Sequence, residues 1–273
     1  MYLAIDIGGT KTLLAIFYED GTLKASHKFP TNHDYHQFKT ELLNSFKENF
    51  SDYKITNCCC AVPGFLDRQK GIAIAFGNLD WTNIPIQQDL EELLNLPVII
   101  ENDANLAGLS EAQLVLDRYK EVVYITISTG IGGGIITNGV LNKDFLDFEP
   151  GQMIFEHDGK TQVWEKYASG KAIYEKYKKK ASEINDQATW GVIVKDFSIG
   201  LYDVIATVRP DVVIIGGGVG THFHKYSHVL EKELHQYNNK IVPIPPILPA
   251  KRSEEAVIYG CYELIQQNLA TAS

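Results

Sequence analysis

The chain has 273 residues, 45% of them hydrophobic and 22% charged, with a formal net charge of −9. That length can bury one large core or two medium ones, and the composition is that of a soluble globular protein. An acidic balance without a Lys/Arg-rich arm argues against a nucleic-acid partner; the longest basic run, Lys178-Lys179-Lys180, reads as the solvated end of a helix.

No apolar stretch approaches the ~20 residues that span a bilayer, and the first residues lack the basic and apolar segments of a signal peptide. A cytoplasmic protein without a membrane partner is therefore expected. Three of the four cysteines, Cys58, Cys59 and Cys60, are consecutive in an apolar run, and Cys261 stands alone. None has metal-ligand spacing, so buried reduced thiols are the plain reading.

In chain order, residues 2–7 and 12–18 read as strands around a Gly8-Gly9 turn, followed by a hairpin turn at Asp20-Gly21. Residues 36–50 have helical spacing, with Phe38, Leu42, Leu43 and Phe46 on one face. A strand over 57–62 closes at Pro63-Gly64. A polar stretch precedes Asn78-Leu79-Asp80-Trp81; a helix over 86–95 and a short strand over 97–101 come next. A helix over 104–116 puts Asn102-Asp103 at a strand-to-helix junction. The second half repeats the order: strands at 121–128 and 133–137 around another glycine turn, helices at 164–180 and 189–208, a buried strand over 211–215 ending in Gly216-Gly217-Gly218, and a closing helix over 253–268. Strand, glycine turn and strand at the head of both halves suggest duplication of one α/β unit, with a cleft as the natural ligand site.

Each glycine turn directly follows an apolar strand. Such a turn lets backbone N–H groups approach an anion with no Cβ in the way. Two of them suggest two walls around one polyphosphate, and hence phosphoryl transfer from a nucleotide-like donor. Taken singly, each also fits an ordinary β-hairpin, and Asn102 or Asp103 also fits a helix N-cap. Gly216 to Gly218 fits close strand–helix packing equally well.

Seven motifs in this order resemble the ROK family of sugar kinases, in the actin-like ATPase superfamily, over nearly the whole chain. They are Asp6-Ile7-Gly8-Gly9-Thr10-Lys11, Val62-Pro63-Gly64, Glu101-Asn102-Asp103-Ala104-Asn105, Ser128-Thr129-Gly130-Ile131-Gly132-Gly133-Gly134, Glu149-Pro150-Gly151, Tyr167-Ala168-Ser169-Gly170 and Gly216-Gly217-Gly218-Val219. The resemblance implies an α/β, two-lobed actin-like ATPase (ribonuclease H-like) fold with duplicated βββαβα units. The small lobe would comprise 1–108 plus 256–273, the large lobe 109–255.

It implies transfer of the terminal phosphoryl group of ATP to a hexose hydroxyl, the 6-hydroxyl of glucose or a relative, with Mg²⁺ as cofactor. Asp103 would be the general base that takes the hydroxyl proton. Gly8, Gly9, Thr10 and Lys11, with Thr129, Gly130, Gly132, Gly217 and Gly218, would hold the donor, and Asp6 would hold hydrated Mg²⁺. Asn78, Asn102, Glu149, Gln152 and Glu165 would bind the sugar, carboxylates being suited to vicinal diols. Lobe closure would exclude water, and a homodimer is usual for the family.

The chain also departs from the family. The usual Glu-x-Gly-His has Gln152 at its histidine, and the cysteine positions of the zinc loop read Glu156, Asp158 and Val163. No zinc is expected, since Val163 cannot ligate a metal and His157 is out of position. The loop 153–164 would be held instead by packing through Phe155 and Trp164. Two alternatives accompany this reading. One is a polyphosphate-dependent glucokinase, disfavoured because no basic track is visible. The other is a non-catalytic sugar sensor; family repressors carry a DNA-binding helix-turn-helix ahead of the first glycine turn, which here begins at Asp6.

Overall fold

The computed structural model describes residues 1–272. Strand β1 (Tyr2–Ile7) turns through Gly8 and Gly9 into the antiparallel β2 (Lys11–Phe17). Gly21, at φ +85°, then reverses the chain into β3 (Leu23–Pro30), a conformation that favours glycine. The Asp34 side chain accepts the Gln37 amide and starts helix α1 (Tyr35–Phe50), which buries Phe38, Leu42 and Phe50. Strand β4 (Asn57–Val62) pairs in parallel with β1.

The polar stretch that follows is not irregular. It forms a three-stranded antiparallel sheet of β5 (Gly64–Asp67), β6 (Ile72–Phe76) and β7 (Thr82–Ile84). These strands are too short for a legible alternation, but Leu66, Ala73 and Phe76 are buried among the core residues of β1 and β2. Helix α2 (Ile86–Leu94) stops at Asn95, which is left-handed, and β8 (Val98–Asn102) joins β4 in parallel. Helix α3 (Asp103–Gln113) starts directly from that strand and ends three residues before the boundary expected from sequence.

The second half begins with the antiparallel β9 (Glu121–Ile127), β10 (Ile131–Thr137) and β11 (Val140–Leu141). A hairpin follows, β12 (Ile154–His157) and β13 (Lys160–Val163). The single helix expected over 164–180 is two, α4 (Glu165–Ala168) and α5 (Gly170–Tyr177). The break has a local cause. Ser169 is extended, and the Gly170 amide donates to the Ser128 carbonyl at 2.7 Å instead of continuing the helix. A Cβ at position 170 would lie 2.5 Å from that carbonyl oxygen. Helix α6 (Gln187–Val208) is capped by Asp186 and ends at a left-handed Arg209 ahead of Pro210. Strand β14 (Val212–Gly216), the short α7 (Gly217–Gly220), α8 (Ser227–His235) and β15 (Ile247–Pro249) complete this half. The closing helix opens with a 3-10 turn at Ser253–Glu255 and continues as α9 (Ala256–Ala272).

Two compact units result: residues up to Ser110 rejoined by those from Glu255 onward, and Glu111–Glu254. The main sheets have the orders β3-β2-β1-β4-β8 and β11-β10-β9-β14-β15. In each, two antiparallel pairings precede two parallel ones, so the duplication suggested by the glycine turns is present strand for strand.

Alternation across the first sheet separates its faces. Leu3, Ile5, Leu14 and Ile16 pack with α1 and α2, whereas Ala4, Ala15 and Ala61 pack with Ile258 and Ile265 of α9. The cysteines obey the same period. Cys58 and Cys60 face one way, Cys59 meets Cys261 on the other, and burial raises all four thiol pKa values. The second core centres on Val123, Ile125, Trp164, Trp190 and Phe197. Among the described residues no helix is long and apolar enough to cross a membrane.

Candidate active site

The strand-to-helix junction after β8 is built around a buried carboxylate. Glu101 accepts Arg68 in a two-pronged ion pair (Nε–Oε2 2.9 Å, Nη2–Oε1 2.5 Å), together with the Asn105 side-chain amide at 3.0 Å and the Asn102 backbone N–H at 2.7 Å. Asn102 is the helix cap: its Oδ1 accepts the amides of Ala104 (2.8 Å) and Asn105 (3.2 Å), while its Nδ2 donates to the Gly64 carbonyl. With the cap supplied by its neighbour, Asp103 is not needed for that task. It stands as the first helical residue, accepting the Ala104 amide at 2.8 Å.

Burial pushes the Asp103 carboxyl up to about 6 against the pull of its backbone hydrogen bond. Asp6, at the end of β1, is pushed up to about 7, first by burial and then by the negative charge of Asp103, with Lys28 pulling the other way. When both carboxyls are ionised, the charge of Asp103 works against that of Asp6.

The turn between β1 and β2 is stiffened by Thr31, which sequence inspection did not single out. Its hydroxyl donates to the Gly8 carbonyl at 2.7 Å, its amide donates to the Thr10 carbonyl at 3.0 Å, and its hydroxyl also meets that of the buried Thr12. The Gly8 amide, expected to face phosphate, is bound to the Lys11 carbonyl at 3.0 Å within the turn. The Thr10 and Lys11 side chains are exposed. Asn78 comes against this turn, since a Cβ on Gly9 would lie 2.6 Å from the Asn78 Cβ.

In the second unit the glycine run divides into separate tasks. The turn itself is short, closed by Ser128 N–H donating to the Gly130 carbonyl at 2.9 Å. Gly132 is a strand residue of β10 paired with Thr126, not a loop donor as expected, and Gly133 makes room for the Phe148 ring. Gly130 is small because Glu165 lies over it; a Cβ there would sit 2.6 Å from Glu165 Oε2. Glu165 accepts the Ile131 amide at 3.2 Å and the Gln152 side-chain amide at 2.8 Å, so two expected sugar ligands form one hydrogen-bonded pair. Glu149 is exposed at the start of the 3-10 turn Pro150–Gln152, which leads to that pair.

Beside the same turn lies a pocket of about 530 Å³, bounded by Ser128, Thr129, Gly170, Tyr174, Ser182 and Gly218. Lys171, Lys180 and His222 also line it, and among the described residues no carboxylate does. Lys180 is thus a pocket residue rather than merely the solvated end of a helix, and the fold gathers a local cationic site that the net charge conceals. Gly218 borders the pocket with open space where its Cβ would be. Gly217, expected beside it as a donor ligand, is outside the lining: it sits at φ +76°, where a Cβ would lie 2.6 Å from the Ile127 carbonyl oxygen. Its task is the close approach of β14 to β9.

The residues at the family's cysteine positions, Glu156, Asp158 and Val163, belong to the β12–β13 hairpin. Trp164 at its base is fully buried and Phe155 packs on the same core. His157 holds the hairpin as well. Its Nε2 meets Asp196 Oδ1 at 3.0 Å, and its ring stacks on Tyr167 at 4.0 Å between centroids. Lys176 donates to the other Asp196 oxygen.

The duplicated α/β frame, with a glycine turn after the first strand of each half, defines a member of the actin-like ATPase superfamily. The chain belongs to the ROK family, whose profile matches residues 2–268. It is 24% identical to a glucokinase of Streptomyces coelicolor, over 97% of each chain. It is 27% identical to an N-acetyl-D-glucosamine kinase of Haemophilus influenzae, over 97% of this chain and 99% of that one. Among solved structures, a ROK family glucokinase from Streptomyces griseus in complex with glucose and AMPPNP superposes with a TM-score of 0.83 at 22% identity, over 97% of this chain and 99% of that one.

Proposed function

We propose that this sugar kinase transfers the terminal phosphoryl group of ATP to a hydroxyl of glucose or a closely related hexose. The observation that carries the reading is the junction after β8, where a neighbouring cap and the Arg68–Glu101 ion pair leave Asp103 as a desolvated carboxyl not used as the helix cap. A base with a pKa near 6 is ionised at neutral pH yet still accepts a proton as the attacking oxygen forms its bond to phosphorus. Asp103 would orient that hydroxyl and hold its proton at a carboxylate oxygen. Glu165, fixed by Gln152 and the Ile131 amide, would accept hydrogen bonds from sugar hydroxyls, with Glu149, Asn78 and the remaining Asn102 donor adding contacts.

The pocket beside Ser128 and Thr129 supports a nucleotide donor. Its volume of about 530 Å³ suits a nucleoside, Tyr174 supplies an aromatic side chain, and Lys171 and Lys180 offset phosphate charge. Gly9, Thr10 and Thr129 would supply phosphate contacts. Asp6 would hold Mg²⁺ through water; its raised pKa beside Asp103 fits a cation that relieves the repulsion of the two carboxyls. Bound there, the ion would screen the charge of the phosphate oxygens. Inorganic polyphosphate is a second donor worth testing, because the lysines that line the pocket would attract any polyanion.

The decisive experiment is coupled ADP release over a panel of hexoses and N-acetylhexosamines, with polyphosphate in parallel. Saturable turnover with one of these sugars and ATP is expected. Sugar binding without turnover on either donor would leave a sensor instead of an enzyme.

A further inference from the structure

Two walls of the pocket assigned to the donor come from distant parts of the chain. One is Gly218, Val219 and His222, the residues that follow β14; the other is Lys180, Ala181 and Ser182, in the connection between α5 and α6. Neither wall is a long regular element. The first is the four-residue α7 and the turn after it, the second the 3-10 turn Ala181–Glu183. A tie between them runs from a side chain outside the lining. Lys225 lies three residues beyond His222, and its ammonium donates to the Ser182 carbonyl at 2.7 Å, the Asn185 side-chain oxygen at 2.9 Å and the Ile184 carbonyl at 3.2 Å. All three donor directions of the ammonium are used. The tie is reciprocal, because Gln187 at the start of α6 donates to the Lys225 carbonyl at 3.2 Å.

The anchoring continues inward. The Ile184 carbonyl also accepts the Trp190 indole N–H at 3.2 Å, and Trp190 stacks on Tyr226, the residue after Lys225, at 4.7 Å between centroids. Two buried rings therefore back the junction that the lysine closes. Every acceptor of Lys225 is neutral, so its hydrogen bonds are charge-assisted and its positive charge stays available behind the pocket. A lysine in this position sets geometry without touching the ligand.

We propose that Lys225 is a positioning residue that holds the two walls at the spacing the nucleoside part of the donor requires. The inference rests on the reading of this pocket as the nucleotide site. A linear polyphosphate, drawn to the lysines by charge and carrying no nucleoside to fit, would not depend on that spacing, so the staple also separates the two donor classes.

The test compares ADP with inorganic tripolyphosphate, both by calorimetry, in the wild type and in Lys225→Met, Lys225→Arg and Asn185→Ala. Lys225→Met keeps the apolar stem and removes all three bonds. It is expected to weaken ADP and raise the KM for ATP about tenfold, while the sugar KM and the tripolyphosphate affinity stay within twofold. Lys225→Arg should recover most of the loss. Asn185→Ala, which removes one exposed acceptor and leaves the core alone, should weaken ADP two- to threefold even if Lys225→Met fails to fold.

An unchanged ADP affinity in the methionine variant, or in Asn185→Ala where only that variant folds, would overturn the inference and leave the nucleotide reading intact. Equal weakening of ADP and tripolyphosphate would also overturn it, since that pattern belongs to charge alone. A wild type that binds tripolyphosphate but not ADP would remove the nucleotide reading, and the staple with it.

Discussion

The two main sheets share one strand order and carry opposite chemistry at the same edge. In the first, the ends of β1 and β8 present Asp6 and Asp103, carboxyls made reluctant to ionise by burial and, for Asp6, by the charge of Asp103. In the second, the turn after β9 and the end of β14 present hydroxyls, bare glycine and a pocket with two lysines and, among the described residues, no acid. A repeated frame thus delivers strand ends to fixed places, and the residues at those ends decide the charge each place carries. The division also separates what a substitution will do: changes in the first set should alter the chemical step, changes in the second should alter donor affinity.

The sharpest way to break this contrast is Asp103→Asn. Turnover should fall about a thousandfold while calorimetric hexose binding persists. A variant that keeps more than a tenth of its turnover would show that the base lies elsewhere.

Next comes Asp6→Asn in the ligand-free protein. The carboxyl of Asp6 is raised from 3.8 to about 7, so the native state binds its proton more tightly than the unfolded chain does. The stability this contributes is complete below about 4 and is lost as pH rises through 7. The amide removes the cost of a buried charge, so the variant should melt above the wild type at pH 8, by an amount on the order of a few kcal/mol that shrinks to nothing near pH 4. A melting difference independent of pH would sink the assignment of strain to that carboxyl.

Glycine pairs sharpen the comparison further. Gly217→Ala forces a left-handed position and a backbone clash, and should cost about 1–3 kcal/mol in denaturant unfolding. Gly218→Ala meets open space and should fold like the wild type. Equal destabilisation by both would erase the distinction between a packing glycine and a pocket glycine. The smallest effect is the acid limb of the rate profile. Asp103 takes up its proton near pH 6, so kcat/KM should fall about tenfold per unit below that value. A flat profile down to pH 5 would count against Asp103 as the titrating base.

Much of this was readable in the residues. Apolar strands ending in glycine turns announced both sheets, and Glu101 to Asn105 announced the strand-to-helix junction after β8. What escaped was set by contacts distant in sequence. Arg68 sits in a polar stretch with nothing to mark it, yet it meets Glu101 as a buried ion pair. Thr31 looks like any loop threonine until the first turn folds onto it. The glycine-rich run after β9 reads as one phosphate loop, but Gly130 and Gly133 are small to admit Glu165 and Phe148, which arrive from later in the chain. The hairpin 154–163 was visible only as a missing zinc loop. Its replacement depends on His157 finding Asp196, 39 residues away on α6.

The cysteines give the molecule a built-in stopwatch. Each thiol is fully shielded and hard to deprotonate, so a thiol-reactive dye can mark the folded chain only when it opens. Because Cys59 and Cys261 look onto the terminal helix while Cys58 and Cys60 look onto the opposite layer, mass spectrometry of the marked peptides would reveal which side of the first sheet peels away first.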